Sequence, residues 1–163
     1  MPSPPRLQWL FSSHPIFFII ICAHNRRRIL AKDFVHNAFT HFALRGAGYG
    51  VWTGRYVLMP DHIHFFAAFG PESLSLSKWL KSMKNAISKV PRTANIPSPH
   101  WEKGSFDHVI RSAESYEQEW LYVRDNPVRA GLVARYEDWE FAGEIFQLQL
   151  TKQKTRGHRP RLQ

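Results

Sequence analysis

Two histidines, His62 and His64, lie two residues apart in the stretch 56–66, YVLMPDHIHFF. Successive side chains of a β-strand point to opposite faces, so both imidazoles would share one face and leave Ile63 and Phe65 on the other. Two imidazoles on one wall can bind a divalent metal ion. The pair is equally compatible with half-buried histidines hydrogen-bonded to backbone. Zinc is a further alternative, although nothing near His64 supplies the third histidine or acidic ligand that zinc hydrolases usually add.

A helix predicted downstream carries a tyrosine that could act beside this strand. Ser112 is its predicted cap, and Pro127 should forbid its continuation. Its core stripe, at i, i+4 and i+7, consists of Tyr116, Trp120 and Val123. Tyr122 is turned about 100° from that stripe and Asn126 follows one turn later, so the two should project as a pair. Taken alone, Tyr122 is also compatible with a surface tyrosine that packs its ring, and Tyr116 is the rival hydroxyl, although its place on the stripe favours a core position.

The remaining pattern predicts the elements that position these residues. They are a buried strand over 16–23, an amphipathic helix over 32–44, strands over 49–59 and 62–69, a helix from an N-cap at Ser73 to about Val90, a proline-containing loop over 91–99 and a strand over 106–111. The order βαββαβ is typical of a ferredoxin-like sandwich, in which an antiparallel sheet carries two helices on one face. We therefore predict an α+β fold with an added C-terminal helix that carries Tyr122. One domain should span 15–147, between a flexible arm over 1–14 and a flexible basic tail over 148–163.

The charge balance points to a polyanionic partner. The chain has a formal charge of +9 and a sequence pI near 10.1, which favours nucleic acid over a membrane surface. Each basic residue by itself could be an ordinary solvated charge. As a group, the side chains that could line a track for the phosphate backbone are Arg26, Arg27, Arg28, Lys78, Lys81, Lys84, Arg111 and Arg124.

Cysteine content and hydropathy indicate where the protein works. Cys22 is the single cysteine, so an internal disulfide is impossible and a reducing cytoplasm is expected. The apolar run over 15–23 is far shorter than the roughly 20 residues of a membrane helix. A buried strand explains it better than a signal peptide or a membrane anchor.

Three stretches together resemble a known family. They are MPDHIH over 59–64, FDHVIR over 106–111 and YVRDNPVRAGLV over 122–133. The chain resembles the single-tyrosine transposases of the HUH superfamily, and most closely the REP-associated tyrosine transposases, which are linked to repetitive extragenic palindromes. The third stretch is the most specific, because a tyrosine four residues before Asn-Pro-Val and after a His-x-His strand is hard to obtain by chance.

The resemblance implies the role of each site residue. His62 and His64 would be metal ligands, Asn126 the third ligand and Tyr122 the nucleophile. The residue before the first histidine is commonly asparagine in such proteins and is Asp61 here, which leaves both histidine ligands intact. Mixed nitrogen and oxygen ligands suit magnesium or manganese at least as well as zinc. A tyrosine hydroxyl has a pKa near 10, so forming the phenolate at pH 7 costs roughly 4 kcal/mol, and a metal that polarises the phosphodiester would help its attack.

The expected activity is cutting and rejoining of single-stranded or hairpin DNA through a 5′-phosphotyrosine, by a monomer or a homodimer. An inactive DNA-binding protein that recognises hairpins is one alternative. A zinc-dependent phosphoesterase that uses activated water is another, and it would leave Tyr122 idle.

Overall fold

The computed structural model describes residues 14–150, which form five strands, four α-helices and three short 3₁₀ helices. The strands are β1 Ile16–Cys22, β2 Val51–Leu58, β3 His62–Phe69, β4 Phe106–Ile110 and β5 Ala142–Glu144. The helices are α1 Asp33–Gly46, α2 Leu76–Thr93, α3 Ala113–Arg124 and α4 Asn126–Arg129. The predicted α+β class with an antiparallel sheet is confirmed.

The sheet has the strand order β4-β1-β3-β2-β5, and every pairing is antiparallel. Strand β3 therefore lies at the centre, with β1 and β2 on either side. Its register opposes His62 to Cys22 and His64 to Ile20. Met59, Pro60 and Asp61 form the whole connection between β2 and β3, and the Met59 amide donates to the His62 carbonyl across it. The tight turn places His62 at the very start of the central strand.

Alternation along the strands separates two hydrophobic layers. On one face, helices α1 and α2 cover Ile63 and Phe65, and their own largest buried side chains are Phe39 and Trp79. On the opposite face, Tyr116 and Val123 of α3 pack against Phe18 and Phe66. The histidines belong to this second face, where the His64 ring stacks on that of Phe18. The prediction that His62 and His64 point away from Ile63 and Phe65 is confirmed.

Two predictions for helix α2 were wrong. Its cap is Ser75, whose hydroxyl accepts a hydrogen bond from the Lys78 amide at 3.3 Å, whereas the hydroxyl of the predicted cap, Ser73, donates to the Leu74 carbonyl. The helix also continues past Val90 to Thr93 and includes Pro91. Pro91 is tolerated because it lies one turn from the helix end, is buried, and lacks only one amide hydrogen bond there.

The C-terminal part differs from the prediction at three points. Helix α3 begins after its predicted cap, Ser112, but ends at Arg124, and Pro127 lies in the first turn of the separate helix α4, where a missing amide costs little. Strand β5 was not predicted and pairs with the edge of β2. Leu148, which we assigned to the tail, is 5% exposed and packs in the second hydrophobic layer, so the ordered domain extends at least to this residue.

The predicted arm over 1–14 and the predicted tail fall largely outside the described residues, which begin at His14 and end at Leu150. Between these limits, none of the helices combines the length and the apolar character needed to cross a bilayer.

Candidate active site

The two histidines meet at the tips of their rings. The Nε2 atoms of His62 and His64 are 2.8 Å apart, and the ring planes are nearly perpendicular at 81°. Strand alternation puts both side chains on one face, and the aromatic layer around Phe18 limits how far the His64 ring can turn. The histidine pair therefore lies on one face of the sheet with both Nε2 atoms directed at one point.

Asn126, from the start of α4, completes this cluster. Its side-chain nitrogen is 2.8 Å from His64 Nε2 and 3.5 Å from His62 Nε2. Helix α3 ends at Arg124, and Asn126 opens α4 immediately after this break. The amide oxygen and nitrogen differ by a half-turn of the terminal group, so either atom can face the histidines. The predicted meeting of His62, His64 and Asn126 occurs in the structure.

Asp61 orients the first histidine. Its Oδ1 accepts a hydrogen bond from His62 Nδ1–H at 2.7 Å, and its Oδ2 pairs with Arg26 Nε at 3.2 Å. A proton on Nδ1 leaves the lone pair of His62 on Nε2, the atom that faces the cluster. The sequence singled out Asp61 only as a departure from the family pattern. The structure shows that this carboxylate fixes the ring and its tautomer, as carboxylates behind metal-binding histidines commonly do.

Burial keeps both imidazoles neutral. Burial lowers the pKa of His62, although Asp61 opposes this by hydrogen bond and charge. Burial is also the main cause that lowers the pKa of His64 to about 3, helped by the charges of His62, Arg129 and Arg26. Burial pulls the pKa of Asp61 upward, but the His62 hydrogen bond and the nearby charges outweigh it and hold this pKa below the usual value. At neutral pH the site therefore contains two neutral imidazoles and one carboxylate.

These donors fit a divalent metal ion with open coordination positions. Two imidazole nitrogens and one amide oxygen can converge on one point, and the Asp61 carboxylate holds the His62 ring from its other nitrogen. His64 Nδ1 is buried without a hydrogen-bond partner among the described residues, so the polar contacts of this ring are all at Nε2. Within residues 14–150, no three His, Cys, Asp or Glu side chains form a metal-binding group. A closed structural zinc site, which needs four such ligands, is not favoured here.

Tyr122 lies on α3, one turn before Asn126. It is 68% exposed, and its hydroxyl makes no hydrogen bond with the described part of the chain. The ring is covered on one side by the Arg129 guanidinium, at 3.9 Å from the ring centroid. Tyr116, the rival hydroxyl, is buried against Phe66, and burial strongly raises its pKa. Of these two, Tyr122 is the hydroxyl that is accessible from outside the fold.

The predicted DNA-binding residues divide into exposed and engaged side chains. Lys78, Lys81, Arg28 and Arg111 are exposed. The others already contact protein groups: Arg26 pairs with Asp61, Arg27 donates to the Pro97 and Pro99 carbonyls, Lys84 donates to the Glu102 and Gly104 carbonyls, and Arg124 pairs with Asp125 and covers the Tyr136 ring. Arg27 and Lys84 therefore support loops, and contact of any member with DNA stays a prediction.

A match to a family model decides the classification of this chain. Residues 12–109, which include both histidines, match the family described as "Transposase IS200 like". The chain belongs to the IS200-like transposase family. The matched range ends before Tyr122 and Asn126, so the roles of these two residues rest on geometry and on the resemblance described above.

Individual relatives of this IS200-like transposase agree with that assignment. A REP-associated tyrosine transposase of Escherichia coli K12 is 28% identical over 89 residues, which are 53% of this chain and 50% of that protein. The aligned part thus spans only half the length of that relative. A Haemophilus influenzae Rd protein provisionally given the same name is 19% identical over 142 residues, 81% of each chain.

The fold also matches a solved structure. A REP-associated tyrosine transposase bound to a REP hairpin superposes with a TM-score of 0.65 and 19% identity, over 87% of this chain and 82% of that one. At this identity the likeness establishes a shared fold. The suspected relation to REP-associated tyrosine transposases is confirmed by the family model, the E. coli relative and this fold match together.

Proposed function

We propose that this IS200-like transposase cuts and rejoins single-stranded or hairpin DNA through a covalent 5′-phosphotyrosine on Tyr122. One observation carries the proposal. The side chains of His62, His64 and Asn126 meet beside the helix junction that follows the exposed tyrosine. The cluster joins residues 62 positions apart in the chain, and a structural role alone gives no reason for three polar side chains to converge there.

The reaction divides between the cluster and the helix. A divalent ion, magnesium or manganese, held by His62, His64 and the Asn126 oxygen would polarise the phosphodiester and stabilise charge in an in-line displacement. Asp61 holds the His62 lone pair toward the phosphate side of the site. Tyr122 presents a hydroxyl that is free of hydrogen bonds to the described residues, so no intramolecular contact must break before it attacks.

The displacement conserves the energy of the phosphodiester. The Tyr122 oxygen forms a bond to phosphorus as the bond from phosphorus to the 3′ oxygen breaks. The phenol proton passes to solvent, and the 3′ oxygen takes up a proton to become a hydroxyl. The reverse attack by another 3′-hydroxyl then rejoins the strand and frees the tyrosine, without ATP or water as a reactant.

Hairpin DNA is the substrate best supported by the neighbours. The solved relative is bound to a REP hairpin, and the exposed lysines of α2, with a chain charge of +9, would supply sequence-independent affinity for phosphates.

Trapping of the covalent adduct tests the proposal. With wild type, manganese and an end-labelled hairpin that carries a single-stranded flank, we expect a protein–DNA species that survives denaturing electrophoresis. Tyr122→Phe keeps the ring and its packing but lacks the attacking oxygen, so the adduct should disappear completely. Tyr116→Phe is the matched control on the same helix and should keep it.

The alternatives give different results. An adduct that persists in Tyr122→Phe would show that another residue is the nucleophile. Cleavage without an adduct would instead favour a phosphoesterase that activates water. Binding without cleavage, with each divalent metal and hairpin tried, would favour an inactive hairpin-binding protein.

A further inference from the structure

Arg129 contacts Tyr122 from the short helix that begins with Asn126. It is the last residue of α4, and its guanidinium carbon lies 3.9 Å from the centroid of the Tyr122 ring. The same side chain donates from Nη2 to the Tyr122 backbone carbonyl at 2.6 Å. Asn126, which contacts His64 Nε2 at 2.8 Å, lies three residues before Arg129 on the same short helix. Arg129 therefore borders both halves of the candidate active site.

The charge of Arg129 is not neutralised by a carboxylate in the described part of the chain. Four arginines there do have such partners: Arg26 pairs with Asp61, Arg55 with Glu117 and Glu144, Arg124 with Asp125, and Arg135 with Asp138. Arg129 is exposed and uses a single N–H on the protein, the one donated to the Tyr122 carbonyl. A guanidinium has five N–H groups in a planar fork, so most of them remain available to an anion.

This arrangement matches the geometry of a phosphodiester. A guanidinium fork can donate two parallel hydrogen bonds to two oxygens of one phosphate, which a lysine ammonium cannot reproduce. Stacking on the Tyr122 ring and the hydrogen bond to its carbonyl fix the fork over the face of this ring before DNA arrives. A donor that is already in place costs no reorganisation when charge develops on the phosphate.

We propose that Arg129 binds the non-bridging oxygens of the scissile phosphodiester and aligns its phosphorus with the Tyr122 hydroxyl. The inference rests on the proposed function and adds a specific catalytic residue to it. As the bond from Tyr122 to phosphorus forms and the bond to the 3′ oxygen breaks, Arg129 keeps its proton and stabilises the charge on the phosphoryl oxygens. The ring stack and the phosphate contact use different parts of the side chain, the π-face and the N–H edge.

A merely structural Arg129 would hold the tyrosine ring in place without touching DNA. The two roles separate in a rescue experiment, because free guanidinium can replace a missing phosphate donor but is not attached to α4 and so cannot anchor the Tyr122 ring to that helix. They also separate when the substrate phosphate is changed, since only the phosphate-binding role depends on the charge of the non-bridging oxygens.

The experiment measures single-turnover formation of the covalent adduct with saturating hairpin and manganese. Arg129→Ala should slow the step by about 100-fold, the scale found when one preorganised donor to a developing oxyanion is removed. Millimolar guanidinium should restore part of this rate. Arg129→Lys, which keeps the charge without the fork, should be intermediate. Arg135→Ala is the control, since Arg135 is an exposed arginine paired with Asp138, and it should match wild type with and without guanidinium.

A second measurement uses the substrate as the partner of a double-mutant cycle. At the scissile position mapped with wild type, a methylphosphonate replaces one charged oxygen by a methyl group. On this substrate the difference in adduct-formation rate between wild type and Arg129→Ala should be smaller. Thermal melting of each variant checks that the fold is retained.

Each outcome bears on a different claim. No adduct with wild type would overturn the proposed function and this inference with it. An adduct with wild type and an Arg129→Ala rate within a few-fold of it would overturn the inference alone. Arg129→Ala could also form the adduct slowly without any rescue by guanidinium, and its rate difference from wild type could be the same on the methylphosphonate substrate. That result would show that Arg129 only supports the Tyr122 ring.

Discussion

The Asp61 carboxylate offers the most direct test of how the histidine pair is prepared. In Asp61→Ala the 2.7 Å hydrogen bond to His62 Nδ1 is lost, and the ring can rotate or move its proton to Nε2. Removing such a partner typically weakens metal binding by about 10–100-fold, which corresponds to roughly 1.4–2.7 kcal/mol. Asp61→Asn should lose less, about tenfold or below, because the amide oxygen still accepts from Nδ1–H while the negative charge is gone.

The cost in fold stability should be smaller than a buried charge pair would suggest. The Asp61 and Arg26 side chains are 27% and 58% exposed, and ion pairs of this kind contribute about 0–1 kcal/mol. With the hydrogen bond to His62 included, we expect the free energy of unfolding of Asp61→Ala to fall by about 1–2 kcal/mol. The protein should therefore remain folded at room temperature.

Manganese titration separates these effects. Calorimetry gives the dissociation constant for the ion directly, and the manganese concentration for half-maximal adduct formation gives the same quantity from activity. We expect both to rise in parallel, with the maximal rate of Asp61→Ala largely recovered at high manganese. If both constants stay at their wild-type values, Asp61 does not prepare the site. A loss of rate that manganese does not recover would instead place Asp61 in contact with DNA.

Two further predictions concern the ligands and the core. His62→Ala or His64→Ala should abolish cleavage, while hairpin binding, measured by gel shift, survives. Asn126→Ala should lose less cleavage activity, because water can replace a neutral oxygen ligand. Equal inactivity of all three variants would show that Asn126 is as important as the histidines. Tyr56 is 4% exposed and burial raises its pKa to about 12, so its folded pKa exceeds the unfolded value near 10. The contribution of the neutral Tyr56 to the free energy of unfolding is therefore complete below pH 10, and up to about 3 kcal/mol is lost as the pH rises toward 12. Tyr56→Phe should flatten the fall in this free energy over that pH range. An unaltered slope would contradict the raised pKa of Tyr56.

Local pattern was sufficient for the elements that carry the histidines. Strand β3 has the predicted bounds, 62–69, because Gly70 and Pro71 stop an apolar run that already fixes its faces. Pro91 misled the prediction for α2, since a proline one turn from a helix end is tolerated when its ring is buried. Strand β5 has three residues and no periodicity; it exists because the edge of β2 offers hydrogen bonds and because Gly143 leaves room for the Tyr56 ring.

The site shows a similar division. The spacing of His62 and His64 was enough to predict that they share a face, whereas Asn126 was added to them by the resemblance to the family. The partners of Arg27 and Lys84 are loop carbonyls some 18 to 72 residues away, and no local pattern indicates such contacts. Arg129 was missed because its meaning comes from its position over Tyr122 and from the lack of a carboxylate beside it among the described residues. A signal was present, since Arg129 follows Asn126 by three residues on one short helix.

The unequal burial of the site residues bears on how such a protein could change its role over generations. His64 is 8% exposed and packs in the aromatic layer, whereas Tyr122 is 68% exposed and its hydroxyl supports nothing in the described fold. A substitution at His64 would be selected against for stability as well as for activity, but one at Tyr122 would cost almost no folding free energy. A descendant recruited by its host for DNA binding alone would therefore lose the tyrosine first and keep the histidines as a trace of its enzymatic ancestry.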